Sequence, residues 1–324
     1  MIDQFLPLWT FYGNPAYNCS SVMPPGEEWT RLYGEPQPLF GIYSIIYGIV
    51  CEITYIPCAI ALYVERRHDC YKIMLFLAVI DMLALISNSI IFGFLLLHGD
   101  HFCSRPHLNY FNGCLGLGMW CGASLVCLLL VSSRVLELLN RSHLIRGRLH
   151  YLFGFCLLYI TYFTFFTPTI VTSSKYKAMF FDPFINSLGT DFYFNIPHTA
   201  NNLLVVTATA MLYIFLCTVL TKKQNKMMDR DKTSAVKGPI FVQATLICLF
   251  NVLASLEYVY MNFFPSPQAL VEVGHISWQL SHGAPPFIYL LLNATIRRHC
   301  SDILMRRSVN LSAASHSNSR IFHI

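Results

Sequence analysis

Long apolar blocks separated by short polar segments dominate the chain from Leu39 onward. A membrane-spanning helix needs roughly 20 predominantly apolar residues. Seven blocks meet that length: Leu39–Tyr63, Ile73–Leu97, Leu108–Val135, Leu149–Val171, Asn195–Leu220, Pro239–Phe263 and Val273–Leu292. The runs are continuous rather than alternating in twos, so they are not the strands of a membrane barrel. The pattern predicts an all-α polytopic membrane protein: an N-terminal segment (1–38), a seven-transmembrane helix bundle (39–294), and a terminal helix and tail (295–324). No internal repeat, low-complexity stretch or separate soluble domain stands out.

Composition and charge sharpen this picture. Hydrophobic residues make up 55% of the 324 and charged residues 12%, about half the share of an average soluble domain. That excludes a disordered chain, a coiled coil and an ordinary cytosolic enzyme. Basic residues in the connections set orientation. With the N-terminus outside, the inner side holds Arg66, Arg67 and Lys72, then Arg134, Arg141, Arg146 and Arg148. It also holds Lys222, Lys223, Lys226, Arg230, Lys232 and Lys237, with Arg297, Arg298, Arg306, Arg307 and Arg320 in the tail. Outside remain Arg31, Arg105, Lys175 and Lys177. The reading is therefore N-terminus out and C-terminus in. The net charge of +5 then sits on an inner rim facing anionic lipid, and no nucleic-acid partner is needed to explain it.

The N-terminal segment lacks the basic and apolar regions of a cleaved signal peptide, so the first span is expected to act as the targeting signal. The segment is rich in Pro, Gly and aromatics, Trp29 and Tyr33 among them, and is long enough to fold over the outer mouth of the bundle. Asn18-Cys19-Ser20 is a glycosylation sequon on the outer side. Most of the twelve cysteines fall inside spans, where Cys is a small apolar filler. Only Cys19 and Cys103 face the oxidising exterior, which makes them one expected disulfide. Cys300, following a basic segment, is a candidate for palmitoylation. His98, His101 and His107 read as polar residues of the first outer loop rather than a metal site.

Short motifs then narrow the class. Leu77-Ala78-Val79-Ile80-Asp81 in span 2 matches an LAxxD pattern, and Ser132-Ser133-Arg134 places an Arg at the inner end of span 3, with Glu137 three residues on. Pro286-Phe287-Ile288-Tyr289 in span 7 matches PxxY, and Asn293-Ala294-Thr295-Ile296-Arg297-Arg298 opens a short amphipathic segment. In these spans and this order the motifs resemble rhodopsin-like G-protein-coupled receptors. The departures are informative: span 4 has no Trp, span 6 has no CWxP, and residues 172–194 contain no cysteine. Tyr17-Asn18-Cys19-Ser20, Tyr55-Ile56-Pro57-Cys58 and the PxxY followed by Asn and paired Arg look like the nematode serpentine chemoreceptors, most closely class T.

The resemblance covers about Tyr17 to Arg298. It implies a plasma-membrane receptor, in the cilium of chemosensory neurons, that reports an environmental or pheromone-like small molecule through a heterotrimeric G protein. Gln279 stands where an opsin carries its retinal Lys and Gly116 where an amine receptor carries Asp, so neither class fits. Ligand contacts are expected from Met119, Trp120, His198, Asn201, Asn202, Asn251, Glu257, Tyr258, His275, Trp278 and Gln279, with Glu257 and His275 favoured as polar anchors. Arg134, Glu137, Pro286 and Tyr289 are expected to serve activation and coupling.

Intramembrane ionisable groups are costly, about 2.5–3.5 kcal/mol each on insertion scales, and mark functional sites. At about 1.5 Å rise per residue, Glu52, Asp81, Ser281 and His282 fall at one depth and are expected to cluster. Related receptors keep a sodium ion there, near Asp81; no other cofactor or metal is expected. The sequence contains no Gly-rich phosphate loop, HExxH or CxxC pair, so an enzyme is not expected. A small transporter or ligand-gated channel is the alternative; it would call for an internal repeat and paired midplane charges.

Overall fold

The computed structural model describes residues 11, 13–185, 192–226, 238–303 and 305. Arg230, Lys232, Lys237, Arg306, Arg307 and Arg320 of the expected inner rim lie outside the described residues.

Among the described residues the chain is helical almost throughout. A short helix α1 (Glu27–Tyr33) precedes α2 (Pro38–Val64). Helix α3 (Asp69–Leu85) passes through one π-helical turn (Ile86–Ile91) into α4 (Phe92–His98), and α5 (Pro106–Leu138) and α6 (Leu149–Phe165) follow. A hairpin of β1 (Val171–Ser173) and β2 (Ala178–Phe180) then leads to α7 (Ile196–Lys226), α8 (Gly238–Phe263), α9 (Gln268–Gly283) and α10 (Pro285–Leu292). Residues 294–303 are again helical.

Local chemistry explains the boundaries. Pro38 and Pro106 occupy the first position of α2 and α5, where the missing N–H costs nothing. Gly99 closes α4 with φ +67°, the left-handed conformation that a glycine adopts without a Cβ penalty. Asn195 opens α7 by accepting from the His198 amide at 2.9 Å, an ordinary N-cap. The fourth expected span overran: its helix stops at Phe165 and the residues up to Val171 enter the hairpin. Pro168 disfavours helical geometry at Thr167, and Val171–Ser173 pair antiparallel with Ala178–Phe180 instead. The seventh apolar block is two helices that break at Ala284, ahead of Pro285 and Pro286.

Among the described residues, four helical stretches are long and apolar enough to cross a membrane: Pro38–Val64, Asp69–His98, Pro106–Leu138 and Val242–Phe263. Leu149–Phe165 is apolar but shorter. Helix α5 is the most buried of the four and packs against α3, α6, α7 and α8. A Cβ added at Gly113 of α5 would collide with the Ile170 carbonyl, so this glycine lets the segment before β1 cross the helix. Large apolar side chains such as Ile46, Ile53, Phe155, Leu158, Met211 and Ile214 remain exposed on outer helix faces, as surface turned to lipid does.

A π turn loosens the regular ladder and is frequent at functional positions. In the turn between α3 and α4, the Asn88 carbonyl accepts from His275 Nε2 and from Gln279 Nε2, both at 3.0 Å. Ser87 donates to the Asn112 carbonyl at 2.9 Å, and the Asn112 amide returns a bond to the Ser87 carbonyl. One widened turn thereby ties the α3–α4 rod to α5 and α9.

Candidate functional site

Beneath the hairpin, at the end of the bundle that carries the N-terminal segment, lies a cavity of about 290 Å³. That is close to the lower bound of ~300–1,000 Å³ for small-molecule sites. Trp120 and Leu117 of α5, His198 of α7, Tyr258, Met261 and Asn262 of α8, and Val271 and Trp278 of α9 form its walls. Ile170, Ala178, Met179, Phe180 and Phe181 close it from above, and no Asp, Glu, Lys or Arg is among its lining residues. Five rings meet around it: Phe181–His198 centroids are 5.2 Å apart, His198–Tyr258 6.2 Å, Trp120–Tyr258 5.9 Å and Trp120–Trp278 6.3 Å. The hairpin is latched to α9 by Lys177–Glu272 at 2.9 Å and by Gln268 donating to the Tyr176 carbonyl at 2.7 Å.

Of the expected ligand contacts, Trp120, His198, Tyr258 and Trp278 line this cavity. The others do not, each for a geometric reason. Asn201 and Asn202 stand behind the wall, bonded to Tyr159 and Trp120. Met119 belongs to the apolar core at the other side of α5. Asn251 lies seven residues from Tyr258, about 10 Å deeper along α8 at 1.5 Å per residue. Glu257 is turned about 100° round α8 from Tyr258, with Oε2 buried and unpaired. His275 and Gln279 are spent on the Asn88 carbonyl, and His275 stacks on Phe92 at 3.7 Å rather than meeting Glu257. The hairpin residues were missed, because nothing in an apolar run announces that it will fold back as a lid.

Below the cavity floor lies a polar centre. His282 Nδ1 is 2.7 Å from Asp81 Oδ1, and both side chains are almost fully buried. The Tyr55 hydroxyl is 2.9 Å from Asp81 Oδ2 and 2.8 Å from the His282 carbonyl oxygen, one proton between two acceptors. Trp120 touches His282 edge-on at 6.0 Å between centroids, so the cavity floor rests on this centre. Tyr55 was not among the expected members. Two expected members do not join: Ser281 donates to the Trp278 carbonyl of its own helix at 2.7 Å. Glu52 sits about 100° from the buried Cys51–Tyr55 face, with Oε1 buried and unpaired. Both Asp81 oxygens are engaged by Tyr55 and His282, and no third acidic or His/Cys donor converges among the described residues.

At the opposite end a cleft of about 970 Å³ is lined by Arg67, His68, Lys72, Ser133, Arg134, Glu137 and Arg146, among others. Arg134 pairs with Glu137 at 2.6 Å on the next turn of α5. Tyr289 is fully buried with its hydroxyl unpaired, and the Pro286 carbonyl lies 3.8 Å from the Cys58 thiol. Asn293 has two roles there: it donates to Gln243 of α8 at 3.2 Å and caps the following helical stretch through the Ile296 amide. That stretch buries Asn293, Ile296 and Cys300 while Arg297 and Arg298 face out, an amphipathic spacing. Cys300 is consequently 4% exposed and packs in the same apolar core as Cys58.

The N-terminal segment forms a cap over the cavity end. Cys19 and Cys103 are disulfide-bonded across 84 residues. Tyr17, Trp29, Phe102, Tyr110, Val171 and Tyr193 pack around them, and Tyr193 donates to the Ala16 carbonyl at 2.8 Å. Asn18 remains exposed. His101 is a structural residue rather than an open loop position, buried and stacked on Trp29 at 5.2 Å. Burial pushes its pKa down to about 4. Asp100 is raised by burial although Arg105 pairs with it.

A bundle of apolar helices with a small-molecule-sized cavity at one end and a basic cleft at the other has the build of a membrane receptor. The family model described as "Serpentine type 7TM GPCR chemoreceptor Srt" matches residues 4–313. The chain belongs to this chemoreceptor family. It is also 24% identical over 311 residues to Serpentine receptor class T-55 of Caenorhabditis elegans, covering 94% of this chain and 84% of that protein.

Proposed function

We propose that the chain is a chemosensory receptor that binds an environmental or pheromone-like small molecule in the cavity under the hairpin. The seven-pass bundle sits in the plasma membrane, in the sensory cilium, with the N-terminus and the cavity outside. Its inner cleft activates a heterotrimeric G protein. The observation that carries this reading is the direct contact of the cavity floor, Trp120, with the buried His282–Asp81–Tyr55 centre. A ligand that moves Trp120 perturbs a group joining α2, α3 and α9, and packed helices shift between discrete arrangements rather than deforming smoothly. Arg134, held by Glu137 at the mouth of the cleft, is the residue the G protein would meet.

Cells expressing the N-terminally tagged chain, screened for G-protein activation against volatile and water-soluble compounds, test the proposal. A response that disappears in Arg134→Ala at equal surface expression is the expected result. Solute or ion flux without G-protein activation, unchanged by Arg134→Ala, contradicts it and establishes a transporter or channel.

A further inference from the structure

The hydrogen bonds behind the cavity wall fix which nitrogen of His198 carries the proton. An indole N–H only donates, and Trp120 Nε1 is 3.1 Å from Asn202 Oδ1, so the Asn202 amide orientation is fixed. The Asn201 amide nitrogen donates to the same oxygen at 3.1 Å while the Tyr159 hydroxyl donates to Asn201 Oδ1; both amides agree. Asn202 Nδ2 is therefore a donor, and it lies 3.4 Å from His198 Nε2, which must accept. In a neutral imidazole the proton is then on Nδ1. His198 Nδ1 has no partner, and neither has Trp278 Nε1. Both residues line the cavity and are more than nine-tenths buried.

Two buried N–H donors without acceptors are expensive to leave so. The lining offers no carboxylate to a cation and no Lys or Arg to an anion. We infer that the cavity takes a compact, uncharged, largely apolar molecule bearing an acceptor oxygen, such as a ketone, ester or lactone. His198 and Trp278 are the residues that select it, and Asn202 is a positioning residue that sets the His198 tautomer. Both N–H groups are buried in the wall, and a bound oxygen reaches one of them when its ring turns toward the cavity. The inference rests on the cavity being the receptor's ligand site. An aromatic box could also hold a cation through ring faces, but the two unpaired groups, His198 Nδ1 and Trp278 Nε1, are both donors and give an ammonium nothing to bond.

The test uses the full chain in phosphatidylcholine nanodiscs, with tryptophan emission as readout. The probes are cyclohexyl, phenyl, bornyl and heptyl frameworks, each presented as carbonyl compound, hydrocarbon, ammonium and carboxylate. The expected result is carbonyl binding in at least one framework, about tenfold or more tighter than its hydrocarbon and ammonium counterparts. His198→Phe keeps the ring, and should weaken the carbonyl compound about tenfold while leaving the hydrocarbon unchanged. Nitrogen NMR of the unmodified chain should show His198 as the Nδ1–H tautomer, and Asn202→Leu should redistribute it. Ammonium binding tighter than carbonyl binding, no carbonyl binding in any framework, or an Nε2–H tautomer in the unmodified chain each overturns the inference. Carbonyl binding that survives the cavity-filling Val271→Trp fails the underlying assignment of the site instead.

Discussion

The two ends of the bundle solve opposite problems with the same helices. The cavity at the capped end is aromatic and lined by no charged residue, roofed by a hairpin under a cap that the Cys19–Cys103 bond holds down. The other end is open, more than three times as large in volume, and lined by Arg67, Lys72, Arg134 and Arg146. A low-polarity enclosed site discriminates by shape and a few placed hydrogen bonds, whereas a charged open cleft suits a large partner recruited by complementary potential. On the proposed function the contrast puts small-molecule selectivity at the capped end, with the Tyr55–Asp81–His282 centre meeting the cavity floor through Trp120.

The largest effect should come from breaking that junction. Asp81→Ala leaves the buried His282 side chain without its partner and removes one of the two acceptors of Tyr55. Removing one partner of a buried pair costs about 3–5 kcal/mol, so thermal unfolding of the purified chain should show a loss of that order. A loss below about 1 kcal/mol would mean the junction is not structural. Cys19→Ser frees the cap, and a disulfide of this kind contributes about 2–4 kcal/mol. Protease cleavage within residues 13–33 should rise sharply while the helical core persists; equal loosening of both ends would remove the distinction between them.

The cap should also respond to pH. His101 is depressed to about 4, below the ordinary value of about 6.5, so the unfolded chain takes up the proton first. His101's contribution to cap stability is full above about pH 6.5 and is lost as pH falls toward 4. Asp100, raised by burial, acts in the opposite sense and blunts the effect at the acid end. Proteolysis of the cap should therefore increase from pH 7 to 5, and His101→Phe should flatten the profile. The smallest effect on stability belongs to Arg134→Ala. The Arg134 side chain is 10% exposed, but its partner Glu137 is 46% exposed, and an ion pair open to solvent on one side contributes about 0–1 kcal/mol. Unfolding should barely move although signalling is abolished.

Helix positions were largely legible in the apolar runs, because a spanning segment must satisfy every backbone group within itself. Asp81 and His282 meet because helical rise turns residue count into depth, and depth could be counted from the span ends. What depth cannot supply is azimuth. Glu52 has the right height but lies about a quarter-turn off the buried face, while Tyr55 on that face supplies the missing contact. His275 and Gln279 looked like ligand anchors because a π turn that exposes the Asn88 carbonyl has no plain sequence signature. The hairpin lid was read as the end of a span; its pairing depends on α5 passing beneath it at Gly113, a tertiary fact invisible in a local window. Cys300 shows the same limit: its basic neighbours suggested an interface, and only the packed helix face reveals that its thiol turns inward.

On the proposed function the two ends of the bundle communicate. Linkage makes such coupling reciprocal, typically 5–150-fold in affinity. The decisive measurement is the affinity of a carbonyl compound that binds the cavity, in nanodiscs, with and without a saturating nucleotide-free heterotrimeric G protein. The G protein is expected to tighten binding about tenfold, and Asp81→Asn to bring the ratio toward one. A ratio of one in the unmodified chain, with both partners bound, would contradict this coupling.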